Sequence, residues 1–161
     1  MTQDPAKLLD DLFPMGHDTH QKGARICGSA RTSRGQIQII GTPPGTGLDA
    51  RLALDLAADV LKIIKDHPGR PILLMIDTTG QVLSRQEEML GLNRYLAHLA
   101  KCIFLARTRG HHVIGLVYGQ SVSGGALATS LLADDCYALP SSRLMAMNLT
   151  AMARVTPTRR A

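Results

Sequence analysis

Two short, wholly apolar runs place the tightest limit on how this chain can fold. Residues 71–76 and 113–117 carry no polar side chain, which is typical of strands covered by helices on both faces. Apolar residues recur at helical spacing ahead of each run, over residues 52–64 and 89–103. Because helix and strand alternate, the sequence predicts an α/β domain with a mostly parallel sheet.

Motifs in the N-terminal quarter predict two further elements. Asp4 and Pro5 suit the cap and the first position of a short helix, which Pro14 ends. Residues 25–30 and 36–40 alternate between apolar and polar on either side of a Ser-Arg-Gly turn. This alternation indicates a β-hairpin.

Turn residues and helix-capping residues mark the ends of the remaining elements. The Pro- and Gly-rich residues 42–47 predict a loop. Ser84 and Glu87 match the capping-box pattern, which predicts one long helix that ends near Gly110. Further short elements are predicted as a helix over residues 126–132 and strands over 136–139 and 144–147.

Composition is that of one ordinary globular domain. The 161 residues are 45% hydrophobic and 19% charged. We expect a single domain over residues 1–161, with a helical segment over residues 1–20 and a short tail at residues 157–161. The net charge of +5 comes from scattered basic residues, which either face an acidic partner or are ordinary solvated side chains.

Several classes of function fit this composition poorly. Two Phe, three Tyr and no Trp offer few platforms for base stacking, so we expect no nucleic-acid partner. The three separated cysteines form no Cys-x-x-Cys pair and indicate neither a disulfide framework nor a metal site. No apolar run approaches the roughly 20 residues of a membrane span, and no signal-peptide pattern is present. We therefore expect a cytoplasmic protein without membrane contact.

The run from Gly119 to Gly125 is the candidate for chemistry, because it joins a predicted strand to a predicted helix. Glycines permit close approach of the backbone to a ligand, and the first N–H groups of a helix have no internal partner. Together these features can bind a developing negative oxygen. A tight turn with close helix packing accounts for the same glycines.

Other interpretations of this run fit less well. A phosphate loop needs Lys after the glycine, but Ala126 follows Gly125, and the glycine spacing is not that of a dinucleotide site. A serine hydrolase would use Ser123, yet Gly-x-Ser-x-Gly is missing and all six histidines precede that residue. A triad has no fixed chain order, so the hydrolase stays an alternative. We expect His111 and His112 to be structural.

Motifs on both sides of the glycine run form a specific combination. They include Ile76-Asp77-Thr78-Thr79-Gly80-Gln81, Leu90-Gly91-Leu92-Asn93, Val122-Ser123-Gly124-Gly125 and Met147-Asn148-Leu149. Over residues 68–156 the chain resembles the gamma subunit of biotin-independent malonate decarboxylase. It is more distantly similar to the alpha carboxyltransferase half of acetyl-CoA carboxylase, which has the crotonase fold.

The resemblance implies a crotonase-like, carboxyltransferase-type ββα superhelix. It implies a heteromer in which this gamma subunit and a beta subunit decarboxylate a malonyl thioester, releasing CO₂ and leaving an acetyl thioester. The thioester would be carried on the phosphopantetheine-type prosthetic group of an acyl-carrier subunit. No metal or cofactor bound directly by this chain is implied.

The resemblance also assigns residues. Gly124 and Gly125 would provide an oxyanion hole for the enolate, with backbone N–H groups as donors. Ser123 and Gln120 would shape the turn and contact the substrate. Weaker candidates for substrate contact, on the loop expected after residue 76, are Gly80 and Gln81.

One departure from the resembled family leaves alternatives open. Its members continue well beyond residue 156, whereas here residues 157–161 end the chain. A truncated copy is therefore implied, and a non-catalytic scaffold subunit is the alternative to an active carboxy-lyase subunit. A Clp-type serine peptidase that uses Ser123 is the third interpretation.

Overall fold

Parallel pairing of the two apolar runs organises the fold. The computed structural model describes residues 4–122, 125 and 129–145. The strands are β1 (His17–Lys22), β2 (Arg25–Thr32), β3 (Gly35–Gly41), β4 (Thr46–Leu48), β5 (Ile72–Gln81), β6 (Val113–Val122), β7 (Asp135–Ala138) and β8 (Arg143–Met145). The helices are α1 (Pro5–Leu12), α2 (Ala50–Asp66), α3 (Arg85–Leu90) and α4 (Leu92–Thr108), with a 3₁₀ turn over Ser130–Leu132.

The eight strands form one sheet, and its central part is parallel. Its order is β1-β2-β3-β5-β6-β7, with β4 added beside β5 and β8 added beside β6. Pairing is antiparallel within β1-β2-β3 and parallel everywhere else among the described strands. The predicted α/β class with a mostly parallel sheet is therefore confirmed.

Alternate side chains of β5 belong to two different cores. Leu74 and Ile76 pack with α2 and α4 on one face of the sheet. Leu73 and Met75 pack with α1 and the inner side of the β2-β3 hairpin on the other face. Because both faces are covered, this strand tolerates the unbroken apolar run seen in the sequence.

The first 20 residues are only partly helical. Asp4 caps α1 as predicted, since its Oδ1 accepts the Ala6 N–H at 3.0 Å. The prediction of helix over residues 1–20 is wrong after Leu12, because β1 begins at His17. This edge strand reads His-Asp-Thr-His-Gln-Lys and carries no apolar side chain, so hydrophobic periodicity could not reveal it.

The long helix predicted after Ser84 is two helices. Gly91 adopts φ 74°, in the left-handed region, and separates α3 from α4. Ser84 Oγ accepts the Glu87 N–H at 3.2 Å, which is half of the predicted capping box. The Glu87 carboxylate instead accepts the N–H of Ala50 at 2.7 Å and so holds the start of α2.

Other elements differ from the prediction mainly at their ends. The hairpin, α2 and the strand over residues 136–139 form close to the predicted positions. β4 begins inside the predicted loop at residues 42–47 and ends one residue after it, at Leu48. β5 and β6 each run five residues beyond their apolar parts, so the stretch after Tyr118 is strand through Val122. No helix in the described part of the chain is long and apolar enough to cross a membrane.

Burial on α2 gives a matched test of this architecture. Leu56 is 3% exposed and Leu54 is 43% exposed on the same helix. We expect Leu56→Ala to lower the free energy of unfolding by about 2–5 kcal/mol, because it removes core contacts and leaves a cavity. Leu54→Ala should cost less than about 1 kcal/mol. Urea denaturation of both variants measures the difference, and equal losses would contradict the packing described.

Candidate functional site

The candidate site lies where β5 and β6 lose their regular pairing. Ile76 pairs with Val117, but Thr78 pairs with Ser121, so β6 contains two more residues than β5 over this stretch. An irregularity of this kind bends a strand and redirects its side chains, and such irregularities are over-represented next to active sites. Beyond it, β4 and β8 pair with the ends of β5 and β6.

Two glycines meet at this end of the sheet. Gly125 is buried at a helical position, and a Cβ added to it would lie 3.4 Å from the Cα of Gly80. The same Cβ would lie 3.2 Å from Thr78 Cγ2 and 3.0 Å from Leu48 Cδ1. Because Gly125 has no side chain, its backbone can pack directly on β5. The structure therefore brings together two of the residues singled out from the sequence.

One backbone group of each of these two glycines forms a hydrogen bond with a threonine side chain. The Gly80 N–H donates to Thr78 Oγ1 at 3.1 Å, and Gly80 adopts φ 97°. The Gly125 carbonyl accepts the Thr129 hydroxyl at 2.6 Å. Ser123 and Gly124 lie outside the described residues, so their roles stay predictions.

On the other face of β5, a buried carboxylate holds the start of the glycine run. Asp77 is 2% exposed, and its Oδ1 accepts the backbone N–H of Gln120 at 3.1 Å. A Cβ added to Gly119 would overlap this carboxylate. Gly119 is therefore needed because the Asp77 carboxylate lies against its Cα.

Two successive hydrogen bonds, from Tyr118 to Thr42 and from Thr42 to Asp77, hold the backbone of Asp77 in place. The Thr42 hydroxyl donates to the Asp77 carbonyl at 3.0 Å, and the Tyr118 hydroxyl donates to the Thr42 carbonyl at 2.6 Å. Burial, and then the negative charge of Asp77, raise the pKa of the Tyr118 phenol well above its ordinary value. The phenol thus stays protonated as the donor in the first of these hydrogen bonds.

The Asp77 carboxylate lines a polar cavity of about 360 Å³. Arg143 lines it too and pairs with Gln120 in the β6-β8 register. Within the described part of the chain, no ion pair of Asp77 or Arg143 forms at 4.0 Å or less. The remaining described residues that line it are Pro44, Gly45, Tyr118, Gly119, Gln120 and Ser141.

Gln81, another sequence candidate, lines a different cavity. This second cavity measures about 340 Å³ and also borders Val82, Leu83, Glu88 and Asn93. The structure therefore separates Gln120 from Gln81, although the sequence placed both beside one ligand. Asp77, expected on a loop, is part of β5. The sequence analysis did not anticipate the Asp77–Gly119 contact or the position of Arg143.

No histidine lines either cavity in the part of the chain that the structure describes. His111 is buried at the other end of the sheet, where its Nδ1 lies 2.8 Å from the Arg70 carbonyl. His112 Nε2 lies 2.8 Å from Asp135 Oδ2. Residues 4–122, 125 and 129–145 contain no cluster of three His, Cys, Asp or Glu side chains that could hold a metal ion.

Comparison of the sequence with known families and proteins gives a consistent match. The family model described as malonate decarboxylase gamma subunit matches residues 45–159. Malonyl-S-ACP:biotin-protein carboxyltransferase MADD of Malonomonas rubra is 32% identical over 121 residues, which cover 73% of this chain and 41% of that protein. The chloroplastic acetyl-coenzyme A carboxylase carboxyl transferase subunit alpha of Pisum sativum is 40% identical over 63 residues, 39% of this chain and 7% of that protein. The chain thus spans less than half the length of these curated relatives.

Solved structures share the fold. The Pseudomonas malonate decarboxylase MdcD-MdcE hetero-dimer matches with a TM-score of 0.78 at 24% identity, over 92% of this chain and 65% of that chain. Transcarboxylase 12S matches with a TM-score of 0.82 at 20% identity, over 99% of this chain and 32% of that chain. These matches confirm the crotonase-like, carboxyltransferase-type fold.

The Asp77–Gly119 contact can be tested with a double-mutant cycle. We expect Gly119→Ala to cost about 1–3 kcal/mol of unfolding free energy, because the new Cβ displaces the carboxylate. In an Asp77→Ala background the same change should cost about 0.5 kcal/mol or less, and this coupling identifies the contact. Gly47→Ala is the control, since its Cβ would meet only the flexible end of Val82 at 3.0 Å and Thr79 Oγ1 at 3.6 Å. Additive costs in the cycle would argue against the contact.

Proposed function

The chain belongs to the malonate decarboxylase gamma-subunit family, and we propose that it is the gamma-type subunit of a carboxy-lyase that decarboxylates a malonyl thioester. The family match covers residues 45–159, which include both strands of the candidate site and the whole glycine run. The observation that carries the proposal is the packing of Gly125 on Gly80 at the end of β5. This contact puts Gly125, three residues after the end of β6, beside the strand that ends in Gln81.

The chemistry requires a site for a negative oxygen. Loss of CO₂ from a malonyl thioester leaves an enolate, whose charge resides on the thioester oxygen. Preorganised N–H donors aimed at that oxygen stabilise the transition state more than the substrate. Each donor of this kind is worth roughly 2.7–4 kcal/mol of barrier height.

We assign the donor role to the backbone N–H groups of Gly124 and Gly125. The Gly80 N–H is engaged by Thr78 Oγ1, which supports a packing role for Gly80 rather than a donor role. Asp77 holds the Gln120 N–H and so orients the chain that leads into the turn, as a positioning residue. Ser123 shapes the turn, and the proton for the enolate comes from water or from the partner subunit.

A beta subunit is proposed as the partner, and an acyl-carrier subunit presents the substrate on a phosphopantetheine-type arm. One of the matched structures is a malonate decarboxylase hetero-dimer, which makes a heteromer the expected assembly. Exposed apolar side chains beside the Gln81 cavity support this. Leu83 is 75% exposed, Met89 79% and Leu90 50%, and α3 buries none of its residues. A cluster of this kind marks an interaction surface.

Decarboxylation by the reconstituted complex tests the oxyanion assignment. The chain is coexpressed with a malonate decarboxylase beta subunit, and CO₂ release from malonyl-carrier protein or malonyl-CoA is measured. We expect Gly125→Val to reduce release by at least a hundredfold, because its branched side chain must displace the turn from Thr78 and Gly80. Ser123→Ala should retain much of the activity.

Recovery of the Gly125→Val complex by gel filtration separates loss of catalysis from loss of folding. Full activity in that variant would contradict the oxyanion assignment. Stable complex formation without turnover by the wild type would favour the scaffold alternative. Covalent labelling of Ser123 by a fluorophosphonate would favour the peptidase.

Two exposed methionines give a matched test of the partner surface. Met89, on α3, is 79% exposed, and Met15, which follows α1, is 57% exposed. We expect Met89→Asp to weaken association with the beta subunit at least tenfold, because a carboxylate must then be desolvated at the interface. Met15→Asp should leave association unchanged. Analytical ultracentrifugation of the two variants compares them, and equal affinities would locate the interface elsewhere.

A further inference from the structure

A third cavity lies at the opposite end of the sheet from the candidate site. One face of β1, β2 and β3 forms its floor. Three cross-strand rows make up this face: Asp18–Ser29–Gln38, His20–Cys27–Ile40 and Lys22–Arg25. Only the last residue of the middle row is aliphatic, whereas the reverse face of the same strands carries the apolar core of α1.

The C-terminal half of α2 closes this face from above. Asp59, Lys62, Ile63 and His67 line the cavity from the helix, and Arg70 lines it from the segment that follows. The cavity is open to solvent and measures about 460 Å³. This is large enough for a small organic ligand.

The mostly buried Gln38 lines this space, and its amide has no protein partner in the described part of the chain. Gln38 is 6% exposed, and its backbone N–H donates to the Pro71 carbonyl at 2.9 Å. Its side-chain amide forms no hydrogen bond with any residue in the described part of the chain. Among the described residues, the fully buried side-chain nitrogens and oxygens without a partner do not include this amide, so it is accessible from the cavity and can bond to a ligand there.

The charges around the cavity favour an anion. Four cationic side chains line it, against two carboxylates. Arg25 Nη1 already pairs with Asp59 Oδ2 at 2.5 Å, and Arg70 donates to Gln36 at 2.7 Å. The two lysines of the cavity, Lys22 and Lys62, form no ion pair within the described ranges.

Among the described residues, Cys27 supplies the one sulfur atom that lines the cavity, and it is not a nucleophile at neutral pH. The Cys27 thiol donates to Asp59 Oδ2 at 3.3 Å. Burial, followed by the Asp59 charge, raises the pKa of Cys27 to about 11. The cavity is therefore suited to reversible binding rather than to covalent chemistry.

We propose that this cavity binds a small polyanion through phosphate or carboxylate oxygens, held by the ammonium groups of Lys22 and Lys62 and the amide of Gln38. The site is separate from the proposed decarboxylation site. Gln38 pairs with Ile72 at the first residue of β5, whereas Gly80 lies near the other end of that strand. The floor of the cavity, residues 18–40, also lies before the segment 45–159 that matches the decarboxylase family.

Calorimetric titration of the full 161-residue chain tests the proposal. The probes are pyrophosphate and citrate, which separate phosphate from carboxylate recognition. We expect one saturable site for at least one of them, and roughly tenfold weaker binding in Lys62→Gln, since a charge-assisted hydrogen bond is lost. The control is Lys65→Gln on the same helix, because Lys65 is exposed and does not line the cavity. Its affinity should equal that of the wild type.

Gln38→Leu supplies a second test with two opposing readouts. The substitution is close to isosteric and places an apolar side chain at a residue that is only 6% exposed, so we expect a higher melting temperature. It also removes the amide that would bond to the anion, so we expect weaker anion binding. If Gln38 has only a structural role, Gln38→Leu will lower the melting temperature and leave anion binding unchanged.

Failure to observe saturable binding of either probe, or equal weakening of binding in Lys62→Gln and Lys65→Gln, would overturn the proposal. If the charge of Lys62 only stabilises the C-terminal end of α2, Lys62→Gln will lower the stability but keep the wild-type affinity. This outcome also overturns the proposal.

Discussion

Burial of the paired strands β5 and β6 on both faces is the constraint on which the rest of the molecule depends. Helices α2 and α4 cover one face, and α1 with the β2-β3 hairpin covers the other, so neither strand can shift in register without exposing a core. Beyond Ile76 the pairing becomes irregular, because two more residues of β6 must be accommodated. The candidate site lies where this regular pairing ends.

Close backbone packing at that point makes glycine necessary for two different reasons. Gly125 lies against Gly80 and Thr78, so that the turn can rest on the strand. Gly119 lies against a buried carboxylate, so that the Gln120 N–H reaches its acceptor. Gly119 and Gly125, at the two ends of the glycine run, are thus held by contacts on opposite faces of the sheet.

Local patterns sufficed to predict the apolar strands, α2, the hairpin and the glycine run. They failed where the signal was weak or distant in sequence. β1 carries no apolar residue, and Gly91 divides a helix whose spacing alone looks continuous. The contact between Asp77 and Gln120 joins residues 43 positions apart, so no local pattern in the sequence could predict it. Family resemblance located the glycines, but only the fold could reveal that Gln81 and Gln120 face separate cavities.

The hydrogen bond from Ala50 to the Glu87 carboxylate ties α3 to the first turn of α2. α2 has 17 residues and is therefore roughly 25 Å long, with α3 at one end and, beneath the other, the cavity whose floor is formed by β1, β2 and β3. A displacement of α3 must either break this bond or carry α2 with it. The exposed apolar surface of α3 and the cavity at the other end of the domain are therefore attached to opposite ends of the same helix.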